Sequence, residues 1–335
     1  MYAESSLRMQ AILFAQPGPP ESLHLATYER PVPGPRHLLV AVAATAVNRA
    51  DILQRQGRYP EPPGESPILG LEMSGTVVGT GAGVVRWQVG DQVCGLLAGG
   101  GYAEYAVIHE DMALPIPTGV DLMSAAAIPE VFLTAYQALH WLADLQPGER
   151  VLIHAGASGV GTAAIQLARD RGAEVLVTAS APKHALCHRL GADRTIDYRT
   201  ESFFQVVQDH TRGRGVDVII DFLAAPYFEA NLQSLATDGR LVLLGLMGGS
   251  KVPEVNLSYL LRKRLQLIGS TLRNRSLDYK VRLTQALHEA VWPRFAAGSV
   301  VPVIDRVLPW QQAAEAHRLI EANRTAGKIV LRVGG

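Results

Sequence analysis

Apolar and polar positions change their rhythm once along the chain, near residue 125. Before it, short apolar runs at 10–14, 37–47, 75–78, 91–97 and 102–108 are broken by closely spaced glycines and prolines. Runs of that length bounded by turn residues predict a compact, mostly antiparallel β region. Beyond it, β-type runs at 151–154, 174–179, 194–197, 216–221, 240–245 and 266–270 alternate with amphipathic helix patterns, among them 182–190, 203–211 and 226–235. Regular alternation of strand and helix predicts a doubly wound parallel sheet, hence an α/β protein. The C-terminal stretch changes style again, with strand-like 303–307, helical 310–323 and strand-like 328–333. It is too short to bury a core alone, so it is expected to return to the first region. The expected organisation is a β-rich catalytic domain made of 9–129 and 298–335, interrupted by a dinucleotide-binding domain at 130–297. Residues 1–8 read as an extension without fixed structure.

Residues 154–168, HAGASGVGTAAIQLA, place Gly156, Gly159 and Gly161 where a strand pattern turns into a helix of small residues. Backbone N–H groups of a first helical turn lack intrahelical partners and face the positive end of the helix dipole. They suit a pyrophosphate where no side chain blocks its approach. The match to G-x-G-x-x-G is incomplete, because Ser158 stands where the middle glycine would be. A tight turn packing a helix on a sheet would need similar residues. The segment also half-matches a hydrolase nucleophile elbow, but Val160 occupies the last glycine position of G-x-S-x-G.

The run at 174–180 ends without the carboxylate that would hold the ribose hydroxyls of NAD; Ser180 and then Lys183 stand there instead. A hydroxyl beside an ammonium suits a 2′-phosphate, which a carboxylate would repel, so NADPH is the expected cofactor. Taken alone, Lys183 also reads as a solvated lysine in a helix's first turn.

Composition sets limits on partners and compartment. The chain has 335 residues, 48% of them hydrophobic, enough for two ordinary cores. Its 31 basic and 31 acidic residues leave no general field toward nucleic acid or an anionic membrane, although Arg262, Lys263 and Arg264 form one local patch. No apolar run approaches the roughly eighteen residues that span a bilayer, and the N-terminal stretch lacks a signal-peptide core. Cys94 and Cys187 fall in different expected domains, which points to unpaired thiols and a cytoplasmic location.

Several longer phrases occur in a fixed order: NRADILQRQGRY (48–59), ILGLEMSGTV (68–77), AAAIPEVFLTAYQAL (125–139), the glycine turn, LLGLMGG (243–249) and AGKIVL (326–331). Through them the chain resembles the zinc-independent quinone oxidoreductases of the medium-chain dehydrogenase/reductase superfamily, the relatives of zeta-crystallin, over nearly its whole length. The resemblance implies a GroES-like catalytic domain joined to a Rossmann domain, and a homodimer formed through the edge of the Rossmann sheet. It also implies NADPH-dependent reduction of a quinone, with semiquinones and reactive oxygen species downstream.

Residue by residue, the resemblance implies that Tyr59 and Ser158 supply catalytic hydroxyls at the acceptor site. Asn48 would lie near the nicotinamide ribose and Thr134 beside the nicotinamide. Gly156, Ser158, Gly159, Val160 and Gly161 would form the pyrophosphate turn. Ser180, Lys183 and Tyr198 would surround the 2′-phosphate, and Leu246, Met247 and Leu272 the nicotinamide end. Asp221 is followed by Phe222-Leu223-Ala224-Ala225, where relatives carry a small residue and glycines, which puts a cofactor contact near Phe222 in question.

Zinc-dependent members of the superfamily carry a cysteine and a G-H-E motif in the catalytic domain. The comparable segments here are Asn48-Arg49-Ala50-Asp51 and Gly70-Leu71-Glu72. Leucine cannot ligate a metal, and one cysteine cannot build a thiolate cluster, so no metal site is expected. Histidines 140, 154 and 184 lack a partner pattern and read as structural. Two other readings stay open: an NADPH-dependent enoyl or enone reductase, whose acceptor is an electrophile much like a quinone, and an RNA-binding or crystallin-like structural protein. The balanced charge opposes the last, and nucleic acid is not an expected partner.

Overall fold

The computed structural model describes residues 7–334. The chain forms two compact units, one made of residues up to Leu133 together with those from Arg273 onward, the other of Thr134–Leu272.

In the first unit the strand His37–Ala46 is the organising element. Its valines, leucines and alanines are mostly buried, and it pairs antiparallel with Glu72–Thr80, with Tyr105–His109 and, at its far end, with Lys328–Arg332. The sheet runs Ile304–Pro309, Lys328–Arg332, His37–Ala46, Glu72–Thr80, Gln92–Leu96, Ala113–Pro115. Gly75 permits the tight crossing of its two central strands, since a Cβ there would lie 2.1 Å from the Ala41 carbonyl oxygen. The C-terminal chain does return to this unit, with Val330 opposite Ala46. A hairpin of Arg8–Leu13 and His24–Glu29 covers one side, where Ile12, Tyr102, Trp310 and Ile329 share a core. The second hairpin strand is half exposed throughout, which is why its apolar pattern does not stand out in the sequence.

Three boundaries differ from expectation, the smallest being the end of the first segment at Leu133 rather than 129. Residues 273–297 belong to the first unit, because the buried face of the helix Leu277–Ala296 finds its partners there. Phe295 packs edge-on to Phe132 at 5.1 Å, and Trp292 Nε1 donates to the Pro115 carbonyl at 2.9 Å. Leu7 and Arg8 are also part of the structure: the Leu7 carbonyl accepts the Arg30 N–H, and Arg8 opens the first strand. The rest of the expected extension, residues 1–6, lies outside the described residues.

The second unit is a six-stranded, wholly parallel sheet in the order Arg194–Ile196, Glu174–Thr178, Arg150–Ile153, Val216–Asp221, Leu235–Leu243, Gln266–Gly269. All six residues of Val216–Asp221 are buried, as a central strand covered on both faces requires. The winding reverses between Arg150–Ile153 and Val216–Asp221. At such a switch point the strand carboxyl ends open onto a crevice in which nucleotides bind.

Candidate functional site

At that switch point Arg150–Ile153 runs into the glycine turn. Ala155 adopts a left-handed φ of 49°, and the Gly156 N–H bonds the Thr178 carbonyl at 2.9 Å. Ser158 then caps the helix Gly159–Asp170, its hydroxyl oxygen accepting the Gly161 N–H at 3.1 Å. The Gly159 and Val160 N–H groups have no partner among the described residues. They are the open donors of the first turn.

Sequence reasoning missed what lies beneath this turn. His154 is buried, with Nε2 2.8 Å from Asn231 Oδ1 and Nδ1 3.1 Å from Thr178 Oγ1. Asn231 Nδ2 in turn donates to Asp221 at 2.9 Å. The amide oxygen can only accept, so the ring proton sits on Nε2 and the Thr178 hydroxyl donates to Nδ1. Burial lowers the His154 pKa and keeps the ring neutral. The same Thr178 oxygen accepts the Ala155 N–H at 3.2 Å, tying the network to the turn. A lone histidine gives no sign of these partners, 24 and 77 residues away.

Except for Thr134, the other expected cofactor residues of this unit also lie beyond strand carboxyl ends. Thr178 and Ile196 are paired in register, so Ser180 and Tyr198, each two residues further on, leave the same edge of the sheet. Ser180 is buried and its carbonyl accepts the Lys183 N–H at 2.9 Å; Tyr198 is exposed. Leu246 and Met247 are exposed after Leu235–Leu243, and Leu272 is buried. Thr134 lies within the helix Pro129–Tyr136.

The Phe222–Ala225 departure still forms an ordered loop. Asp221 accepts the Leu223 and Ala224 N–H groups at 2.7 and 3.1 Å, while Phe222 and Leu223 carbonyls accept from Met247 and Gly248. Ala224 sits at φ 62°, where a glycine would be unstrained.

Amide donors, a hydroxyl and an ammonium, with no carboxylate at 179–183, fit a dinucleotide carrying a 2′-phosphate. Lys183→Ala is expected to weaken NADPH binding by about 1.5–3 kcal/mol, the scale of a hydrogen bond to a charged group, and to leave NADH binding nearly unchanged. Calorimetric titration with both nucleotides checks this; equal losses would make the lysine a support of the fold.

The first unit holds Asn48 and Tyr59. Asn48 caps the helix Arg49–Arg55, and Asp51 accepts its N–H at 2.7 Å and that of Gly70 at 3.0 Å. The Asn48 amide is engaged inside the unit: Nδ2 donates to Glu72 Oε1 at 2.9 Å, and Oδ1 accepts from Lys328. The buried Lys328 ammonium also reaches Glu72 Oε1 and the Val47 carbonyl at 2.8 and 2.9 Å. Glu72 Oε2 accepts the Glu130 N–H at 2.9 Å. Leu71, at the histidine position of the zinc motif, is buried, and among the described residues no group of three or more His, Cys, Asp or Glu could hold a metal.

Tyr59 is held by Arg273, whose guanidinium stands 5.4 Å from the ring centroid and donates to Ala98 O at 2.8 Å and Gln54 Oε1 at 2.9 Å. Its hydroxyl has no partner among the described residues, and burial, then the nearby Glu130, push its pKa up, so it is a neutral phenol. Lys328, Glu130 and Arg273 were not singled out from sequence. Lys328 was legible only as part of AGKIVL. Tyr59 and Ser158 belong to different units.

The basic triplet does structural work: Lys263 Nζ donates to the Gln233 and Leu235 carbonyls at 2.8 and 2.6 Å, and Arg264 pairs with Asp238 at 2.6 Å. Both cysteines are buried and unpaired.

This architecture and nucleotide turn define a two-domain dehydrogenase/reductase. Residues 34–118 match the family described as alcohol dehydrogenase GroES-like domain, and 159–289 that described as zinc-binding dehydrogenase. A mycobacterial protein solved in complex with NADPH is 31% identical, with TM-score 0.86, over 97% of this chain and 99% of that one. The CurK enoyl reductase is 28% identical (TM-score 0.87; 98% and 100%), and the quinone oxidoreductase from Coxiella burnetii 29% (0.81; 98% and 100%). The phthioceranic/hydroxyphthioceranic acid synthase of Mycobacterium tuberculosis is 33% identical over 99% of this chain, which spans 15% of that protein's length. The chain belongs to the medium-chain dehydrogenase/reductase superfamily, and it is an oxidoreductase of that superfamily.

Proposed function

We propose that the protein reduces the carbon–carbon double bond of an enone or enoyl thioester with NADPH. The observation that carries this reading is Tyr59: a neutral phenol with an unengaged hydroxyl, held by Arg273 in a unit with no metal cluster among the described residues. Reduction of such a bond needs a hydride at the β-carbon and a proton at the α-carbon, and a fixed phenol can supply the second. The likeness to the CurK enoyl reductase and to the phthioceranic/hydroxyphthioceranic acid synthase supports the same acceptor class. NADPH would supply the hydride when bound. The Gly159 and Val160 amides would hold its pyrophosphate, Ser180, Lys183 and Tyr198 its 2′-phosphate, and Ser158 would keep the helix start in place.

A second reading, quinone reduction, is favoured by the likeness to the Coxiella burnetii enzyme and by the motif series of the zeta-crystallin relatives, the p53-inducible quinone oxidoreductase among them. The two separate on Tyr59. With a crotonyl thioester, Tyr59→Phe is expected to lower kcat by about a hundredfold, the scale of general acid catalysis, with NADPH affinity unchanged. With a para-quinone, whose reduced oxygens take protons from water, the loss should be a few-fold. Steady-state kinetics with both acceptors decides it. A wild type that reduces the quinone and not the thioester rejects the enoyl reading.

We further propose a homodimer through the strand Gln266–Gly269. It ends the sheet, and Leu257, Leu261 and Leu267 are exposed on the same stretch. An outer edge with free N–H and C=O groups beside exposed leucines suits a second copy related by a two-fold axis. Light scattering should give twice the 36.1 kDa chain mass; a monomer at micromolar concentration rejects the arrangement.

A further inference from the structure

Two alanines of the second unit hold a backbone conformation that a Cβ strains, Ala155 at φ 49° and Ala224 at φ 62°. Each follows the carboxyl end of one of the two paired strands at the switch point, Arg150–Ile153 and Val216–Asp221. Ala155 opens the glycine turn, and its carbonyl accepts the Ser158 N–H at 2.9 Å. Ala224 lies in the loop whose Phe222 and Leu223 carbonyls accept the Met247 and Gly248 N–H groups at 3.0 and 2.9 Å. One chain of hydrogen bonds runs from the first alanine to the second. The Ala155 N–H donates to Thr178 Oγ1, the Thr178 hydroxyl to His154 Nδ1 and His154 Nε2 to Asn231 Oδ1. Asn231 Nδ2 then donates to Asp221 Oδ2, which also accepts the Ala224 N–H.

Every donor along this chain points toward Asp221, because a backbone N–H only donates and a carboxylate only accepts. Removing any one member therefore leaves a neighbour unpaired. His154, Asn231 and Asp221 are wholly enclosed and Thr178 nearly so, and the Phe203 and Tyr227 rings each stand 4.8 Å from the imidazole. In such a place bulk solvent does not replace a lost bond.

We propose that Thr178, His154 and Asn231 are positioning residues of the nucleotide site: their chain holds the pyrophosphate turn and the 222–225 loop as one body, so that ordering either one orders the other. The inference rests on the reading of this crevice as an NADPH site. Strain at the two alanines is the reason a chain is needed. Without its bonds Ala155 and Ala224 would relax toward negative φ. The helix start above Ala155 and the 246–248 segment bonded to the loop would then lose their common frame. All three side chains are enclosed, so they act on the nucleotide through the turn and the loop.

The test uses the full chain with NADPH and with 2′-phospho-ADP-ribose, which has the pyrophosphate and the 2′-phosphate but no nicotinamide. Thr178→Val keeps the shape of the side chain without its hydroxyl and should weaken both ligands about tenfold. Thr178→Ser, which returns the hydroxyl, should bind both within about threefold of wild type. Adding Ala155→Gly to Thr178→Val should recover most of the loss, because glycine takes the left-handed conformation without support. Asn231→Leu, far along the chain from the turn, should weaken 2′-phospho-ADP-ribose as much as Thr178→Val does, and the double variant should be hardly worse than either alone. Hydrogen exchange reads the coupling apart from affinity. In the wild type 2′-phospho-ADP-ribose should slow exchange of the Leu223 and Ala224 amides, and in Thr178→Val it should not. Losses that add in the double variant, or exchange at Leu223 and Ala224 that the ligand leaves unchanged in the wild type, overturn the coupling. Wild-type affinity in Thr178→Val overturns the positioning role. A wild type that binds neither ligand overturns the NADPH reading itself, and the inference with it.

Discussion

Replacing Lys328 by methionine is expected to destabilise the protein by about 3–5 kcal/mol, the cost of leaving one partner of a buried ion pair alone. The ammonium is almost wholly enclosed and bonds Glu72 Oε1, Asn48 Oδ1 and the Val47 carbonyl. Methionine fills a similar volume but offers no donor, so Glu72 would remain buried with only N–H partners, and the Asn48 and Val47 oxygens would each lose a bond. Urea unfolding at pH 8 measures the size of the loss. Glu72→Gln combined with Lys328→Met should recover part of the loss, a coupling that a double-mutant cycle reads directly. A Lys328→Met protein as stable as the wild type at pH 8 would show that the pair contributes nothing net.

That cluster marks where sequence reasoning stops. The strands of the parallel sheet, the return of the C-terminal strand and the helix start at the glycine turn all leave periodic or punctuating signals; five of the six strands lie within a residue of the pattern, while the fifth runs Leu235–Leu243 rather than 240–245 and takes in the end of the expected helix. The helix Leu277–Ala296 is legible as a helix only weakly, and its unit not at all, because nothing in its own residues says which core receives Phe295 and Trp292. The site residues divide the same way. Gly156 through Gly161, Ser180 and Lys183 sit on one local segment or a fixed distance beyond a strand, so spacing locates them. Lys328 meets Asn48 across 280 residues, and Asn231 meets His154 across 77. Such pairs arise from strand order, which a single sequence carries no direct record of. Leu71 in place of a histidine speaks against a metal beside Glu72, and no local pattern points to Lys328 as the cation that pairs with it.

Gly161→Ala should abolish tight nucleotide binding while leaving most of the fold intact. A Cβ at this position would lie 2.4 Å from the Ala155 carbonyl oxygen and 2.7 Å from the Gly156 carbonyl carbon. Both are backbone atoms, so no side chain can swing aside, and the turn or the helix start must move. The first helical turn would be displaced from the carboxyl end of Arg150–Ile153, taking the Gly159 and Val160 N–H groups out of place and breaking the Ser158 to Gly161 cap. Overpacking of this kind costs about 1–3 kcal/mol of stability. The effect on binding should be greater than stability alone explains, because pyrophosphate recognition depends on where those amides point. Ser158→Ala separates the two effects. It removes the cap, worth about 1 kcal/mol, without adding an atom to the turn, so stability should fall similarly while NADPH affinity drops only a few-fold. Calorimetric NADPH titration beside thermal unfolding of both variants compares them. A Gly161→Ala protein that binds NADPH within threefold of wild type would mean that the nucleotide does not rest on this helix start.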